Sequence, residues 1–285
     1  MSPKIKYSVL VFTDCIDSDA KSRQVARWQS AFGNIPVNCF GVKKSIEASF
    51  CVVDVIYATR LPKNIARKWK SKPIIFGNIA PRTEKRYENG APFCLGWTAD
   101  GILVIGTPDV FVLPLKEGLI KDVYVTDPYH VCRAAGVEED EALRISKSQF
   151  RSLDYVPLLA YWLEIENIKI PCEKIDIPSN KFDNEIAFID NFGNVKSTVK
   201  KSDFPLSNLS EIPNGVIELA VSGESLQFVP RLKDVSGEAV TQGSSGAPGD
   251  GYLEIVIQGG NASKSEKLQL SLEEKAFEIS IYEQV

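Results

Sequence analysis

Two apolar segments of the chain each end on an aspartate. Asp14 closes the segment that starts at Tyr7, and Asp190 closes the one that starts at Ile186. In an open α/β sheet, ligands bind beyond the carboxyl ends of the strands. A carboxylate in that place can accept two hydrogen bonds from the vicinal diol of a ribose, or it can hold an ammonium group. The pattern therefore indicates a site for a nucleoside or an amine.

Several of the acidic residues also have a purely structural interpretation. Asp17 and Asp19 can cap a helix that we expect to run to Phe32, and Asp54 lies inside an apolar segment. The segment from Asp190 to Asn194 contains a glycine, so on its own it favours a β-turn that closes a hairpin. We prefer the structural interpretation for Asp17 and Asp54, and the case for the others depends on the rest of the chain.

The composition is that of a globular protein without a nucleic-acid or membrane partner. The chain has 285 residues, enough for about two domains, with 44% hydrophobic and 25% charged residues. Its net charge of -4 gives no basic field for nucleic acid or anionic lipid. No apolar run approaches the ~18 residues of a membrane helix, and the N-terminus leads into a strand without a signal-peptide core. We expect a cytoplasmic protein.

Cysteine and histidine usage argues against a metal site. None of the six cysteines forms a CxxC motif, and His130 is the one histidine of the sequence. Several cysteines lie in apolar segments, which is typical of buried thiols in a reducing compartment. A zinc site would lack its usual clustered thiols and histidines. We therefore expect no metal.

The first part of the chain predicts an α/β domain with a mostly parallel sheet and helices. The expected strands cover residues 7–14, 49–57, 73–79, 93–97, 102–106 and 110–113, and the expected helices cover residues 18–32, 64–70, 138–147 and 154–165. Asp100-Gly101 predicts a hairpin turn. Val25, Ala26 and Ala31 should face the core from the first helix.

The second part predicts an all-β domain, a small barrel or a sandwich. Residues 171–182 are rich in proline and predict a linker between a domain at 1–170 and a domain at 183–285. The expected strands cover residues 186–190, 195–199, 216–221, 226–232, 253–257 and 277–282. Residues 234–250 are rich in glycine and serine and predict a weakly ordered loop.

Six segments, taken together in their order and spacing, resemble a known enzyme family. They cover residues 12–19, 52–55, 106–113, 150–157, 189–194 and 251–262. The most specific are Ile-Asp-Asn-Phe-Gly-Asn, which ends at Asn194, and Tyr-Leu-Glu-Ile, which starts at Tyr252. Over most of its length the chain resembles the S-adenosylmethionine hydroxide adenosyltransferase family, which also contains the fluorinase and chlorinase enzymes.

The resemblance implies an architecture, a ligand and a reaction. Members of that family combine an N-terminal α/β domain with a C-terminal β-barrel. They form homotrimers that bind S-adenosylmethionine between the N-terminal domain of one subunit and the C-terminal domain of a neighbour. The implied reaction is substitution at C5′ of the ribose without a metal. The sulfonium is already a good leaving group, so the protein mainly has to hold a nucleophile in line, remove its water and shield it.

The resemblance also assigns roles to individual residues. Asp14 matches the aspartate that binds the ribose hydroxyls, and Asp19 and Asp190 match carboxylates near the methionine ammonium. The other matches are Asn194 as a ligand-contacting asparagine, the backbone of Ile257 and Gly259 at the adenine edge, and Phe150 and Ser152 in the nucleophile pocket. These positions make up the predicted substrate site.

The reaction centre departs from the family pattern. The hydroxide-transferring members use an aspartate, an arginine and a histidine. The aspartate position here is Ala80, and the histidine position is Arg151. The arginine is retained in a displaced form, as Arg86 or Arg82. His130 could substitute for the histidine, although a surface loop is the simpler interpretation of its surroundings.

Two further positions differ from the family. The serine and the basic residue that hold the methionine carboxylate align with Gly249 and Asp250, and an aspartate there would repel that group. Cys15 and Ile16 replace glycines after Asp14. Cys15 could be a reactive thiol beside the site, but we expect a buried structural one.

Three hypotheses remain open. In the first, the protein cleaves S-adenosylmethionine with a rebuilt centre and water or another small nucleophile, and Arg86, Arg151 and Ser152 are the catalytic candidates. The second is a nucleoside-binding protein without catalysis, which the missing trio favours. The third is an enzyme that acts on a different adenosyl compound, which Asp250 favours.

Overall fold

A computed structural model of the protein describes residues 6–60, 71–79, 90–203, 217–221, 223–268 and 279–281. The chain divides into two compact units, Met1–Ser179 and Asn180–Val285. Each unit contains its own seven-stranded sheet. Within the described ranges, no helix is long and apolar enough to cross a membrane.

The first unit alternates strands and helices. Its elements are β1 (Tyr7–Thr13), α1 (Ser18–Phe32), β2 (Val37–Gly41), α2 (Ser45–Thr59), β3 (Lys72–Asn78), β4 (Cys94–Trp97), β5 (Leu103–Gly106), a 3-10 helix (Pro108–Phe111), α3 (Val112–Lys116), β6 (Val123–Val125), α4 (Pro128–Ala134), α5 (Glu139–Ser146), α6 (Arg151–Asp154), α7 (Val156–Glu164) and β7 (Glu173–Ile175). The strand order is β2-β1-β3-β5-β4-β6-β7. β2, β1, β3 and β5 are parallel, whereas β4, β6 and β7 pair antiparallel with their neighbours. The unit is therefore α/β, but its sheet is mixed, with three parallel and three antiparallel strand pairs, which corrects the prediction of a mostly parallel sheet.

One face of the first sheet is covered by α1. Alternate residues of a strand point to opposite faces, and Val9, Val11 and Phe76 share a buried core with Trp28 of α1. The Trp28 and Phe76 ring centroids lie 6.0 Å apart. The large indole fills the space between helix and sheet, so α1 is held at a fixed position above β1 and β3.

The opposite face is covered by α2, the 3-10 helix and α3, which contact one another. A Cβ atom on Gly77 would lie 2.6 Å from Val110 Cγ2, and one on Gly106 would lie 3.1 Å from Val110 Cβ. The two glycines therefore allow the 3-10 helix to approach the sheet closely. Ser49 joins α2 to α3 within this layer, because its Oγ accepts a hydrogen bond from the Leu113 amide at 2.9 Å.

Two segments that the sequence predicts as strands are helical. Residues 49–57 lie in α2, and residues 110–113 span the junction of the 3-10 helix and α3. Most of α2 is buried, including Phe50, Val52 and Ile56. A helix that is buried on several sides lacks the polar face that reveals helical periodicity, so its sequence looks like that of a buried strand.

Most of the other strands and helices predicted for the first unit are present, but one predicted core residue is not buried. The strands β1, β3, β4 and β5 and the helices α1, α5 and α7 are confirmed, and Asp17 caps α1 by accepting the Ala20 amide at 2.8 Å. Gln24 and Trp28 are the buried residues of α1, whereas Ala26 is exposed, which corrects the prediction for Ala26. The predicted helix 64–70 lies outside the described residues.

Three strands, β2, β6 and β7, are not among those predicted from the sequence. All three are short, and two of them, β2 and β7, lie at the edges of the sheet. β7 lies within residues 171–182, the predicted linker, and pairs with β6 through Val123↔Ile175. A short strand gives little periodicity, and the prolines around β7 favoured a linker.

The second unit contains a mixed sheet built mainly from antiparallel pairs. Its strands are β8 (Ile186–Ile189), β9 (Val195–Lys200), β10 (Ile217–Val221), β11 (Glu224–Val229), β12 (Glu238–Ala247), β13 (Asp250–Ile257) and β14 (Ile279–Ile281). The order is β14-β10-β11-β12-β13-β9-β8, and β11 with β12 is a parallel pair. Val195, Val240, Leu253 and Ile255 belong to its core. In the described part of this unit, the helices are short 3-10 turns.

The predicted loop 234–250 is wrong, because most of it forms β12. This strand pairs with β11 on one side and β13 on the other. Its small residues fit crowded positions: a Cβ atom on Gly243 would lie 3.1 Å from the Glu254 carboxyl carbon, and one on Gly251 of β13 would lie 2.7 Å from the Ser245 carbonyl oxygen. Glycine in a strand often marks such a close approach.

We expect Gly77→Ala to lower the free energy of unfolding by about 1–3 kcal/mol, because the added methyl group overlaps Val110. Val110→Ala alone should also destabilise the protein, since it leaves a cavity. In the double variant the new methyl group occupies the vacated space, so its loss should be smaller than the sum of the two single losses. Denaturant unfolding measures all three variants, and strict additivity would contradict this packing.

Candidate functional site

The carboxyl ends of β1, β2 and β3 meet at one edge of the first sheet. Thr13 pairs with Gly41 on one side and with Asn78 on the other. The Asp14 amide donates to the Asn78 carbonyl at 3.3 Å, and Asn78 Nδ2 donates to Thr13 Oγ1 at 3.4 Å. Because α1 and α2 cover opposite faces, the edge between β1 and β3 is a topological switch point. Asp14 therefore lies where α/β sheets bind ligands.

Asp14 is half-buried and is followed by exposed residues. Cys15 Sγ lies 3.6 Å from Asp14 Oδ1, and the Cys15 amide donates to Thr13 Oγ1 at 3.1 Å. Cys15 is exposed, so the expectation of a buried thiol is wrong. The chain leaves the sheet at this point on its way to α1, which carries the side chain out of the core.

Asp19 and Phe150 are far apart in sequence, and Arg23 brings them together. Arg23 Nη1 lies 3.5 Å from Asp19 Oδ2, and the guanidinium carbon lies 5.3 Å from the centroid of the Phe150 ring. Phe150 is 56% exposed. Arg23 is not among the site residues predicted from the sequence, although its position one helical turn after Asp19 is a recognisable signal for an ion pair.

Arg151 has a structural role. Its Nη2 donates to the carbonyl oxygens of Gly90 and Ala91 at 3.1 and 3.3 Å, and its guanidinium lies 5.9 Å from the Phe93 ring centroid. Burial lowers the pKa of Arg151, but an arginine stays protonated in proteins. It can therefore position a loop or an anion but cannot accept a proton from water.

The other two catalytic candidates have different surroundings. Ser152 follows Arg151 in the short helix α6 and is half-buried. Arg86 lies outside the described residues, as do Ala80 and Arg82. The structure therefore describes two of the three candidates, Arg151 and Ser152, and both lie in α6.

The segment from Asp190 to Asn194 forms a closed turn. Asp190 Oδ1 accepts the amides of Phe192 and Asn194 at 2.9 and 3.0 Å, and Oδ2 accepts Asn194 Nδ2 at 3.0 Å. Gly193 has a φ of 83°, which favours glycine. Its carbonyl accepts the Ser263 amide at 3.0 Å. The two predicted ligand groups, Asp190 and Asn194, therefore hold each other.

Ile257 and Gly259 lie near that turn. Ile257 ends β13, and its carbonyl accepts the Gly260 amide at 3.1 Å. Gly259 follows with a φ of 68°. The chain then reaches Ser263, which contacts Gly193. The structure thus brings all four predicted ligand positions of the second unit to one end of its sheet.

Asp250 is neutralised within its own unit. Its carboxylate lies 3.1 Å from Lys200 Nζ and accepts the Ser202 amide and hydroxyl at 2.9 and 2.8 Å. Burial alone would raise the pKa of Asp250, but the hydrogen bonds from Ser202 and Lys200 outweigh it and hold this pKa below its usual value. The repulsion that the sequence predicts toward a ligand carboxylate is therefore partly cancelled by Lys200.

Other reactive side chains of the described residues lie apart from these groups. His130 is exposed but lies in the first turn of α4 and not in a loop, which corrects the prediction, and its amide donates to Asp127 Oδ1 at 2.9 Å. Burial raises the pKa of Cys94 to about 12 and, with nearby carboxylates, that of Cys132 to about 11. Such thiols are inert at neutral pH. Among the described residues, no group of three or more His, Cys, Asp or Glu side chains could hold a metal ion.

Solved structures with a similar fold include two bacterial proteins. One is an uncharacterized conserved protein from Thermotoga maritima, with a TM-score of 0.60 and 15% identity over 92% of this chain and 96% of that chain. Another is a conserved hypothetical protein from Thermus thermophilus, with a TM-score of 0.54 and 15% identity over 97% of this chain and 100% of that chain. No protein-family model matches the chain, and no curated protein matches it. At this identity the likeness shows the fold alone.

We expect Asp190→Ala to lower the free energy of unfolding by about 1–3 kcal/mol, because three donors lose their acceptor. Asp190→Asn should be close to the wild type, since its Oδ1 can still accept the backbone amides and the Asn194 amide can rotate to accept from the new NH2 group. Thermal and denaturant unfolding of both variants measure this difference. Equal stability of Asp190→Ala and the wild type would contradict the closed turn.

Proposed function

We propose that this protein binds S-adenosylmethionine and cleaves it by nucleophilic substitution at C5′ of the ribose. One observation carries the proposal. Asp14 lies at the switch point between β1 and β3, where a carboxylate can accept both hydroxyls of a ribose. The products would be methionine and either adenosine or a 5′-substituted adenosine.

The remaining contacts of the proposed site come from the family resemblance. They are Asp19 and Asp190 near the ammonium, Asn194 as a ligand contact, the backbone of Ile257 and Gly259 at the adenine edge, Phe150 and Ser152 in the nucleophile pocket, and Arg86 and Arg151 as cationic groups. The second-unit residues of this set share one end of their sheet, which supports a common site for them. Asp19 and Phe150 share Arg23 in the first unit.

The proposed reaction balances with water as the nucleophile. A bond forms between the water oxygen and C5′ while the bond from C5′ to sulfur breaks. The bonding pair goes to the sulfur, which leaves as the neutral thioether of methionine, and the water releases a proton to solvent. Because Arg151 cannot accept that proton, the contribution of the protein is alignment and exclusion of competing water. A halide nucleophile would release no proton.

A second candidate is a different adenosyl compound as substrate. The two carboxylates assigned to the ammonium already have partners, since Asp19 contacts Arg23 and Asp190 accepts from Asn194. A ligand without an ammonium group would leave both contacts in place. Binding of a nucleoside without turnover is the third alternative, and the engagement of Arg151 with backbone carbonyls favours it.

We also propose that the second sheet curls into a barrel and that the protein is a cytoplasmic homotrimer. These features follow from the family that the chain resembles. Five of the six strand pairs described in the second sheet are antiparallel, which supports the barrel. Sedimentation velocity would give the subunit number, and a monomer at micromolar concentration would contradict the trimer.

We expect Asp14→Ala to weaken adenosine binding by about 10- to 100-fold, the effect of losing hydrogen bonds to a charged acceptor. Asp100→Ala is a matched control, because Asp100 lies before the amino end of β5, whereas Asp14 follows the carboxyl end of the parallel strand β1. Isothermal titration calorimetry measures both. Wild-type affinity in Asp14→Ala, with wild-type affinity in the control, would overturn the ribose assignment.

The thiol of Cys15, next to Asp14, gives an independent test of adenosine binding at Asp14. Cys15 and Cys172 are both exposed, so iodoacetamide should modify them in the native protein. Adenosine should slow the modification of Cys15, which lies 3.6 Å from Asp14 Oδ1, and should leave Cys172 unchanged. Peptide mass spectrometry follows each site. Unchanged rates at both cysteines under saturating adenosine would place the ligand elsewhere.

The reaction itself is tested by incubating the protein with S-adenosylmethionine in chloride buffer and analysing the products by mass spectrometry. We expect methionine together with adenosine or a 5′-substituted adenosine, and no product from Asp14→Ala under the same conditions. Intact S-adenosylmethionine at high protein concentration would contradict cleavage. If adenosine still binds, that result favours a binding protein or another adenosyl substrate.

A further inference from the structure

A groove lies between α1 and the segment that contains α6. It is lined by Arg23, Ala26, Arg27, Ser30, Phe150, Leu153 and Asp154 and has a volume of about 320 Å³. We refer to it as the Arg23 groove. Ala26 and Ser30 are small and lie one helical turn apart, so they leave room along the surface of α1. The volume is at the lower end of the range for small-molecule sites.

One carboxylate of the groove is fully engaged. Asp154, whose side chain is 15% exposed, contacts Arg27 Nη2 at 3.3 Å and Arg144 Nη1 at 3.9 Å. It also accepts the Ser148 hydroxyl at 2.6 Å. Arg144 in turn pairs with Glu141 through two contacts of 2.7 Å. This network fixes Arg27 and Asp154 as one wall of the groove.

Arg23 is held much more loosely. Its single described ion pair is the 3.5 Å contact with Asp19, and the two side chains are 48% and 76% exposed. Exposed pairs of this kind contribute little to stability and exchange easily with other partners. The other contact of Arg23 is with the face of Phe150. A guanidinium above a ring does not use its N–H donors on that ring as it would on an oxygen acceptor, so they can still bind a carboxylate or phosphate in bidentate fashion.

We propose that Arg23 binds an anionic group on the 5′ substituent of the nucleoside, with the apolar part of that substituent against Phe150. This inference rests on the nucleoside site at Asp14 and on the second candidate proposed above, a different adenosyl compound, so that Phe150 contacts the 5′ chain and not a nucleophile. It names the class of that compound: adenosyl compounds that carry a carboxylate or phosphate and lack the ammonium. The positive charge that an ammonium would bring to Asp19 is already supplied by Arg23. A ligand ammonium would therefore meet a like charge, whereas an anionic group would meet its counter-charge.

The position of Arg23 along α1 determines how long the 5′ substituent must be. Arg23 lies five residues into α1, roughly 8 Å along the helix axis from its first residue. A ribose held by Asp14 before the helix therefore needs an extended 5′ chain to bring an anionic group to Arg23. A 5′-thioether with a carboxyalkyl chain has the required length and the apolar stem that Phe150 would contact.

The test uses three 5′-thioadenosines that differ in the group carried by the sulfur. They are 5′-methylthioadenosine, which is neutral, S-adenosylhomocysteine, which carries an ammonium and a carboxylate, and the analogue of S-adenosylhomocysteine without its amino group. We expect the wild type to bind the deaminated analogue most tightly. Arg23→Gln should weaken binding of that analogue about tenfold and leave 5′-methylthioadenosine unchanged, and Arg23→Lys should restore part of the loss.

Arg133→Gln is the matched control, because Arg133 is an exposed arginine that bonds the Val137 carbonyl away from the groove. It should leave all three affinities unchanged. Equal weakening of the analogue and of 5′-methylthioadenosine in Arg23→Gln would overturn the inference, and so would an unchanged affinity for the analogue. If the wild type binds none of the three ligands, the nucleoside proposal itself fails. Circular dichroism and thermal unfolding confirm that each variant is folded.

Discussion

The parallel pairing of β1 with β3 is the interaction on which the candidate site of the first unit depends. The register of Thr13 with Asn78 decides which residues end at the carboxyl edge, and it holds the Asp14 amide on the Asn78 carbonyl. Gly77 and Gly106 contribute from the other face, because they allow the 3-10 helix to pack without separating β3 from β5. A shift of β3 by one residue relative to β1 would turn every side chain of β3 to the opposite face of the sheet. It would disrupt the packing of the helices on both faces.

Many of the charged groups that a ligand could use already have partners inside their own unit. Asp190 closes a turn, and Glu254 of the Tyr-Leu-Glu-Ile segment lies 2.7 Å from Lys196 with both side chains largely buried. Removing one partner of a buried pair leaves an uncompensated charge. A substitution at such a position therefore reports on folding as much as on binding. Asp14 and Arg23 are more accessible, so substitutions there change the chemistry of a surface more than that of a core.

The sequence predicted those elements whose pattern and packing agree. The helix α1 has a cap and a polar face, and the edge carboxylate Asp14 follows a clear strand, so both were recognisable. Apolar residues around the whole of α2 concealed its helical period, and the glycines and serines of β12 concealed a strand because they serve close packing. Arg23 contacts a ring in a distant part of the chain, and Arg151 bonds carbonyl groups 61 and 60 positions away. No local pattern encodes contacts over such separations.

Charge is the ligand property that the Arg23 groove can discriminate best, and under our proposal the relevant charge is that of the 5′ substituent. Two like charges about 4 Å apart repel by about 1 kcal/mol in water and by more in a groove with lower dielectric. S-adenosylmethionine carries a sulfonium as well as an ammonium, so both would feel the guanidinium of Arg23, which the exposed carboxylate of Asp19 offsets only in part. A substituent with a single negative charge reverses the sign of the interaction. The same fold would thus keep the ribose contact proposed for Asp14 while its preference moved to a different adenosyl compound.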